Sequence, residues 1–157
     1  MPTVHVNIGS NLGNSRSQIE LAVAGISFLA TGGLRRSSFI ESEPWGFSSP
    51  NKFLNLGIEF ESSTPPEALL GYLLELQNSI SAAPHRTHNG TYADRLIDID
   101  LIYYGNLTIN TPALVLPHPR LHMREFVLTP INELSPGWLH PVLKLTPAQM
   151  LAQLPPN

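Results

Sequence analysis

Thr3 to Gly9 alternates in polarity, with Val4, Val6 and Ile8 on one side and His5 and Asn7 on the other, and the run breaks at Gly9-Ser10-Asn11-Leu12-Gly13. A period of two predicts a strand that buries one face and then turns. Ile19, Val23, Ile26 and Ala30 next recur at helical spacing until Gly32-Gly33, and Ser15 with Gln18 has the form of a capping box. The spacing predicts a helix over Arg16 to Thr31. Arg35 to Ser42 is expected as a second strand, which the Pro/Gly/Ser-rich stretch Glu43 to Asn51 cannot continue, so that stretch is expected as a long loop.

Phe53 to Glu61 alternates cleanly. Leu54, Leu56, Ile58 and Phe60 are expected to face a core, and Phe53, Asn55, Gly57, Glu59 and Glu61 to face away. Thr64-Pro65-Pro66-Glu67 has the chemistry of a helix start and leads into Leu69, Leu73, Leu76 and Ile80. Periodicity vanishes between Ser81 and Asp94, an unusually long loop by pattern, and alternation returns from Leu96 to Tyr104. A short strand is expected at Leu107–Ile109, and short helices at Glu125–Leu134 and Pro147–Leu154, the latter amphipathic through Leu151 and Leu154. No internal repeat and no linker interrupts the chain. The order strand, helix, strand, strand, helix, strand predicts an α+β fold: a ferredoxin-like antiparallel sheet with helices packed on it, as one domain over residues 1–157.

Composition narrows the function. The chain has 157 residues, 42% of them hydrophobic, enough for one closed core. Fifteen prolines, 11 glycines and only 13% charged residues would fit a disordered chain, but the apolar share opposes that. A net charge of −3 has the wrong sign for a general nucleic-acid or membrane-surface binder and directs attention to a small-molecule site. Without cysteine there is no disulfide framework, thiolate nucleophile or iron–sulfur cluster, and any metal must sit on oxygen or imidazole. No basic, apolar leader opens the sequence, so a cytoplasmic location is expected.

The strongest chemical signal is Asp94-Arg95-Leu96-Ile97-Asp98-Ile99-Asp100, because the chain has only three aspartates and all fall here. On a strand, Asp98 and Asp100 share one face about 7 Å apart, while Ile97, Ile99 and Leu101 anchor the other. Two neighbouring carboxylates repel, and a hard cation such as Mg²⁺, shared with substrate phosphates, removes that repulsion. A solvated polar face on an edge strand is the simpler alternative. Arg86, Arg95, Arg120 and Arg124 cluster around the pair in sequence and suit anionic phosphate oxygens. Phe53 and Asn55 share a face and offer a ring and an amide to a flat heteroaromatic ligand, although Phe53 could equally meet a covering loop. His118, between two prolines, is stiffly placed to meet a phosphate. The Gly9–Gly13 turn lacks the Lys-Ser/Thr ending of a phosphate loop, and His85, His88 and His122 lack zinc spacing.

Taken together, IGSNLG at 8–13, SSFIESEPWGF at 37–47, FLN at 53–55, DRLIDIDLIYYG at 94–105, LPHP at 116–119 and REFVLTPINEL at 124–134 make the chain resemble the hydroxymethyl-dihydropterin pyrophosphokinases over nearly its whole length. These folate-pathway enzymes move pyrophosphate from ATP to 6-hydroxymethyl-7,8-dihydropterin. The resemblance implies that Asp98 and Asp100 hold two Mg²⁺ ions on the ATP phosphates, and that Arg95, His118 and Arg124 contact nucleotide or phosphate. It also implies that Phe53 and Phe126 sandwich the pterin, that Asn55 bonds its edge, and that Ser42, Glu43 and Trp45 complete the pocket. The loops at Glu43–Lys52 and Ser81–Asp94 would close over the ligands. The family's Glu and Gly-Arg pair at the end of the second helix are missing: aligned backward from Asp94 they fall on Asn78 and Ala82-Ala83, although Glu75 could fill the acid position when aligned forward. Arg86 is then expected to substitute partly, as a catalytic cation with Arg95, and closure to be slower. The expected protein is a monomer acting on ATP and the pterin, with no nucleic-acid or membrane partner. Two rival readings are a non-catalytic pterin- or nucleotide-binding relative with a degenerate closing loop, and a ferredoxin-like RNA-binding module in which Phe53 stacks a base; the net charge and the acidic pair oppose the second.

Overall fold

The first alternating segment becomes the strand that carries the sheet. In the computed structural model, which describes residues 2–44, 51–81 and 96–156, β1 (Thr3–Ser10) lies between β4 (Phe53–Glu61) and β5 (Asp98–Tyr104), antiparallel to both. On the far side of β4 lie β2 (Gly32–Arg36) and β3 (Ile40–Ser42), also antiparallel, so the spatial order is β2-β4-β1-β5 with β3 beside β4. With α1 (Ser15–Ser27) and α2 (Pro66–Ser81) supplying the connections, this is the expected ferredoxin-like α+β arrangement. Val4, Val6 and Ile8, together with Leu56, Ile58, Phe60, Ile97, Ile99 and Leu101, meet Ile19, Val23, Ile26, Leu69 and Leu73 of the two helices in the main core.

Several boundaries differ from the sequence expectation. Asn14, not Ser15, caps α1: its side chain accepts from the Ser17 N–H at 3.1 Å, and Ser15 instead meets the Ser10 hydroxyl. The helix stops at Ser27 because Gly32 and Gly33, at φ +57° for Gly33, begin β2 rather than merely ending the helix. The single strand expected at Arg35–Ser42 is two. Arg36 pairs with Ile58 and Ile40 with Asn55, so four steps on this side face three on β4; the extra residue bulges, and the Ser37 hydroxyl accepts the Gly57 N–H at 2.9 Å. A second bulge falls in β5 between the partners of His5 and Val6, where Ile102 is skipped and the alternation reverses. Leu107–Ile109 shifts to β6 (Ile109–Asn110), paired with β7 (Val115–Leu116). Of the two expected loops, residues 45–50 and 82–94 lie outside the described residues. No helix among the described residues is long and apolar enough to cross a membrane.

The largest correction concerns the second face of the sheet. Glu59 falls on the face away from the main core and is nevertheless 0% exposed, as is His5. α3 (Glu125–Leu134) and α4 (Pro147–Ala152) cover this end of the sheet, where Val127, Leu128, Ile131 and Met150 join Ile102 and Tyr103 in a second core. Ile102 lies on that side by alternation from Asp100, and the bulge turns Tyr103 to it as well. Burying a carboxylate is tolerable only with full compensation. Glu59 receives Nδ1 of His5 at 2.7 Å, the Tyr103 hydroxyl, the Ser135 hydroxyl and the Arg35 guanidinium at 3.1 Å. Burial would raise its pKa, but these donors outweigh that and hold it below the ordinary value. Burial lowers the pKa of His5, so the imidazole is neutral, with its proton on Nδ1 facing the carboxylate. Trp138 closes the cluster by stacking on Tyr103 at 4.1 Å.

α3 can lie this close only because position 57 lacks a side chain. A Cβ there would stand 2.5 Å from Cβ of Pro130 and 2.9 Å from the His5 ring. Gly57→Ala is therefore expected to lower stability by about 1–3 kcal/mol through overpacking, read as a lower urea midpoint with an unchanged slope.

Candidate active site

At the other end of this second face the sheet carries polar residues in register. Asp98 of β5 pairs with Gly9 of β1, Gly9 with Asn55 of β4, and Asn55 with Ile40 of β3. One row along, Asp100 pairs with Asn7 and Asn7 with Gly57. Alternation puts Asp98, Asp100, Asn7, Gly9, Asn55 and Phe53 on the same face. Both aspartates are half-buried. Their strand is the sheet edge, and the edge is held rather than open: Oε1 of Gln77 in α2 accepts the Ile99 N–H at 2.8 Å.

Gly9 is the floor of a slot. A Cβ there would lie 3.0 Å from Oδ1 of Asn55 and 3.6 Å from the Phe53 ring, so both side chains lean over the bare backbone. Asn55 is buried, and its Nδ2 donates to the Ile40 carbonyl at 3.2 Å and the Ser42 hydroxyl at 2.9 Å. Those bonds engage the amide donors and leave the oxygen as the group presented over Gly9. Glu43 is exposed and pairs with Lys52 at 3.7 Å. Asn11, in the turn after β1, donates to the Asn51 carbonyl at 3.2 Å and ties that turn to the residue just before β4.

The bulge in β5 also positions His118. Its N–H donates to the Ile102 carbonyl at 2.7 Å, and its Nδ1 accepts the Arg120 N–H at 3.1 Å, which leaves the ring proton on Nε2. Burial, then the charge of Arg124, lowers its pKa to about 4, while Asp98 pulls the other way. His118 is thus neutral at neutral pH and close to both an acid and a cation of the site. Arg124 is buried at the N-terminus of α3, its guanidinium carbon 5.7 Å from the centre of the Phe126 ring. Pro130 over Gly57, and Ser135 at Glu59, show that α3 runs in the same sense as β4. Phe126, one turn before Pro130, therefore lies back toward Asn55 and Phe53.

The structure thus brings together Asp98, Asp100, His118, Arg124, Phe126, Asn55, Phe53 and Ser42, with Glu43 at the margin. Trp45, Arg86 and Arg95 lie outside the described residues. Sequence reasoning missed Gln77, which holds the edge strand, and Asn7, whose buried Oδ1 has no hydrogen-bond partner and which stands beside Asp100. Asn7 carries a signal in retrospect, as an amide among apolar residues of a central strand. No cluster of three or more His, Cys, Asp or Glu suited to a metal occurs among the described residues. Two adjacent carboxylates nonetheless fit a hard divalent cation that takes its other ligands from phosphate and water.

A sequence profile of the 7,8-dihydro-6-hydroxymethylpterin-pyrophosphokinases (HPPK) matches residues 5–136. The chain belongs to this family. It is 34% identical over 142 residues to a Porphyromonas gingivalis protein named 2-amino-4-hydroxy-6-hydroxymethyldihydropteridine pyrophosphokinase, covering 90% of this chain and 95% of that one. An Aquifex aeolicus protein of the same name is 32% identical over 145 residues, covering 92% and 87%. Among solved structures, wild-type HPPK-DHPS of Plasmodium falciparum superposes with a TM-score of 0.68 at 14% identity; the match covers 97% of this chain but only 44% of that longer one, and shows the HPPK fold.

Burial lowers the pKa of His5, His118 and His140 in the folded protein from the ordinary 6.5. Below that pH the unfolded chain binds protons that the native state refuses, so stability is full above pH 6.5 and is lost on acidification toward the folded values, at up to about 1.4 kcal/mol per pH unit for each fully suppressed group. Calorimetry should show a melting temperature that is level from pH 7.5 to about 6.5 and falls from there to pH 5, and His118→Gln should flatten part of that slope.

Proposed function

We propose that this protein transfers the terminal diphosphoryl group of ATP to the hydroxymethyl oxygen of 6-hydroxymethyl-7,8-dihydropterin, with Mg²⁺, and releases AMP. The observation that carries the reading is the row Asp98–Gly9–Asn55, which sets an acidic pair beside an aromatic slot on one face of a rigid sheet. A nucleotide tail and a bicyclic alcohol need that adjacency to react. Membership of the family agrees with it.

In this reading the pterin lies over Gly9 between Phe53 and Phe126, and Oδ1 of Asn55 accepts a hydrogen bond from its edge. Ser42 supports Asn55 by accepting from Nδ2 at 2.9 Å, and Glu43 and Trp45 complete the rim. Stacking supplies much of the binding and the amide supplies orientation. The pterin hydroxyl then attacks the β-phosphorus in line; the bond from that phosphorus to the α,β-bridging oxygen breaks, AMP leaves with that oxygen, and the hydroxyl proton is lost to water. Asp98 and Asp100 would hold two Mg²⁺ ions, which supply neutralisation of charge on the phosphate oxygens when bound. Neutral His118 offers its Nε2–H to a phosphate oxygen. Arg124 supplies a fixed cation whose burial strengthens its field, and Arg95 and Arg86 add charge from the nucleotide side. Because His118 and Arg124 are held before the ligands arrive, little reorganisation of these two accompanies the transfer.

The test is incubation of the protein with ATP, Mg²⁺ and the pterin alcohol, followed by chromatography for AMP and pterin diphosphate. Formation of both is expected; pterin binding without AMP would instead indicate a non-catalytic relative. Asp98→Asn and Asp100→Asn should each lower AMP release by about a hundredfold or more.

A further inference from the structure

The buried cluster at Glu59 lies at the opposite end of α3 from the residues that would touch substrate, and it uses groups the reaction does not. Oε2 of Glu59 is held by the sheet, through Nδ1 of His5 at 2.7 Å and the Tyr103 hydroxyl at 2.5 Å. Oε1 is held on the helix side, by the hydroxyl of Ser135, the residue that caps the C-terminus of α3, and by Nη2 of Arg35 at 3.1 Å. Arg35 uses its other Nη to donate to the Leu134 carbonyl at 2.8 Å, the last residue of the helix. A single carboxylate therefore joins four sheet strands, β1, β2, β4 and β5, to one helix terminus. The remaining contacts of α3 are mostly apolar, through Val127, Leu128 and Ile131, and apolar contacts define depth better than they define rotation or sliding. Glu133 adds one exposed tie, accepting the Ser38 N–H and hydroxyl at 2.7 Å each.

We propose that Glu59 is a positioning residue: gripped by His5 and Tyr103 on one side and by Ser135 and Arg35 on the other, it sets the seat of α3 on the sheet and so places Arg124 and Phe126 against the ligands. Glu59 touches neither substrate. The helix is ten residues, so the restraint acts over about 15 Å along a rigid rod, with the close approach of Pro130 to Gly57 as its midpoint support. The proposal rests on the reading of Arg124 and Phe126 as ligand contacts.

Replacing Glu59 itself would strand His5 and Tyr103 and could unfold the chain, so the test divides its two sides. Ser135→Ala removes the shorter of the two helix-side ties, leaving the Arg35 bridge to the Leu134 carbonyl, and keeps the sheet side intact; Tyr103→Phe removes one of the two sheet-side ties, leaving that of His5, and keeps the helix side intact. Ser135→Ala should raise the pterin KM about five- to tenfold with kcat within about twofold of the parent, and speed amide exchange along α3; one charge-assisted hydrogen bond is enough for a change of that size. Ser135→Thr, which keeps the hydroxyl, should restore KM. Tyr103→Phe should lower the melting temperature and leave KM within about twofold. An unchanged KM and unchanged α3 exchange in Ser135→Ala would overturn the proposal, as would Tyr103→Phe raising KM as much as Ser135→Ala. A wild-type chain that binds no pterin and releases no AMP would overturn the functional reading beneath it.

Discussion

The position of β1 between β4 and β5 is the constraint on which the rest of the structure depends. Its antiparallel registers bring Gly9 level with both Asn55 and Asp98. Those three residues come from distant parts of the chain and meet only through backbone hydrogen bonds of one central strand. A slip of one residue on either side would turn Asp98 or Asn55 into the main core, where Ile97, Ile99, Leu54 and Leu56 now lie. The apolar face therefore enforces the register, and the register assembles the polar face. Stability and site geometry share one cause.

The second face is divided between two environments. Toward Asp98 and Phe53 it is a partly open, polar slot; toward Glu59 and Tyr103 it is closed by α3, α4 and Trp138. The division follows from side-chain size. Gly57 lets Pro130 come down onto the strand, and the bulge at Ile102 turns Tyr103 toward the helices beside it. The same bulge frees the Ile102 carbonyl to receive the His118 N–H, so the irregularity that builds the second core also fixes a site residue.

Electrostatics differ between the two ends. At Glu59 a buried carboxylate is matched by a half-exposed guanidinium and three neutral donors, which leaves the cluster fully bonded except at Nε2 of His5. At the slot, Arg124 is buried near a half-buried His118 whose ring is kept neutral by burial and by that same cation. Two adjacent aspartates face them. Such a collection of charges of both signs on one face has the form expected of a surface made to receive an anionic ligand and its counterions.

The sequence by itself determined the elements and much of the chemistry. Alternation at Val4–Ile8 and Leu54–Phe60 and the helical spacing at Leu69–Leu73 placed the core residues, because burial of one face imposes a period on the chain. The aspartate pair, Phe53 and Asn55 were legible as residues sharing a face, for the same reason, and resemblance to the family joined them to His118, Arg124 and Phe126. Only the tertiary structure decided what covers the other face. Glu59 and His5 read only as residues on the face away from the main core, because a period-two pattern distinguishes two sides of a strand but carries no information about whether polar residues there meet water or one another. The break between β2 and β3, the bulge at Ile102 and the tie from Gln77 to Ile99 were hidden likewise. Each depends on partners far away in the chain, and only register brings those partners within bonding distance.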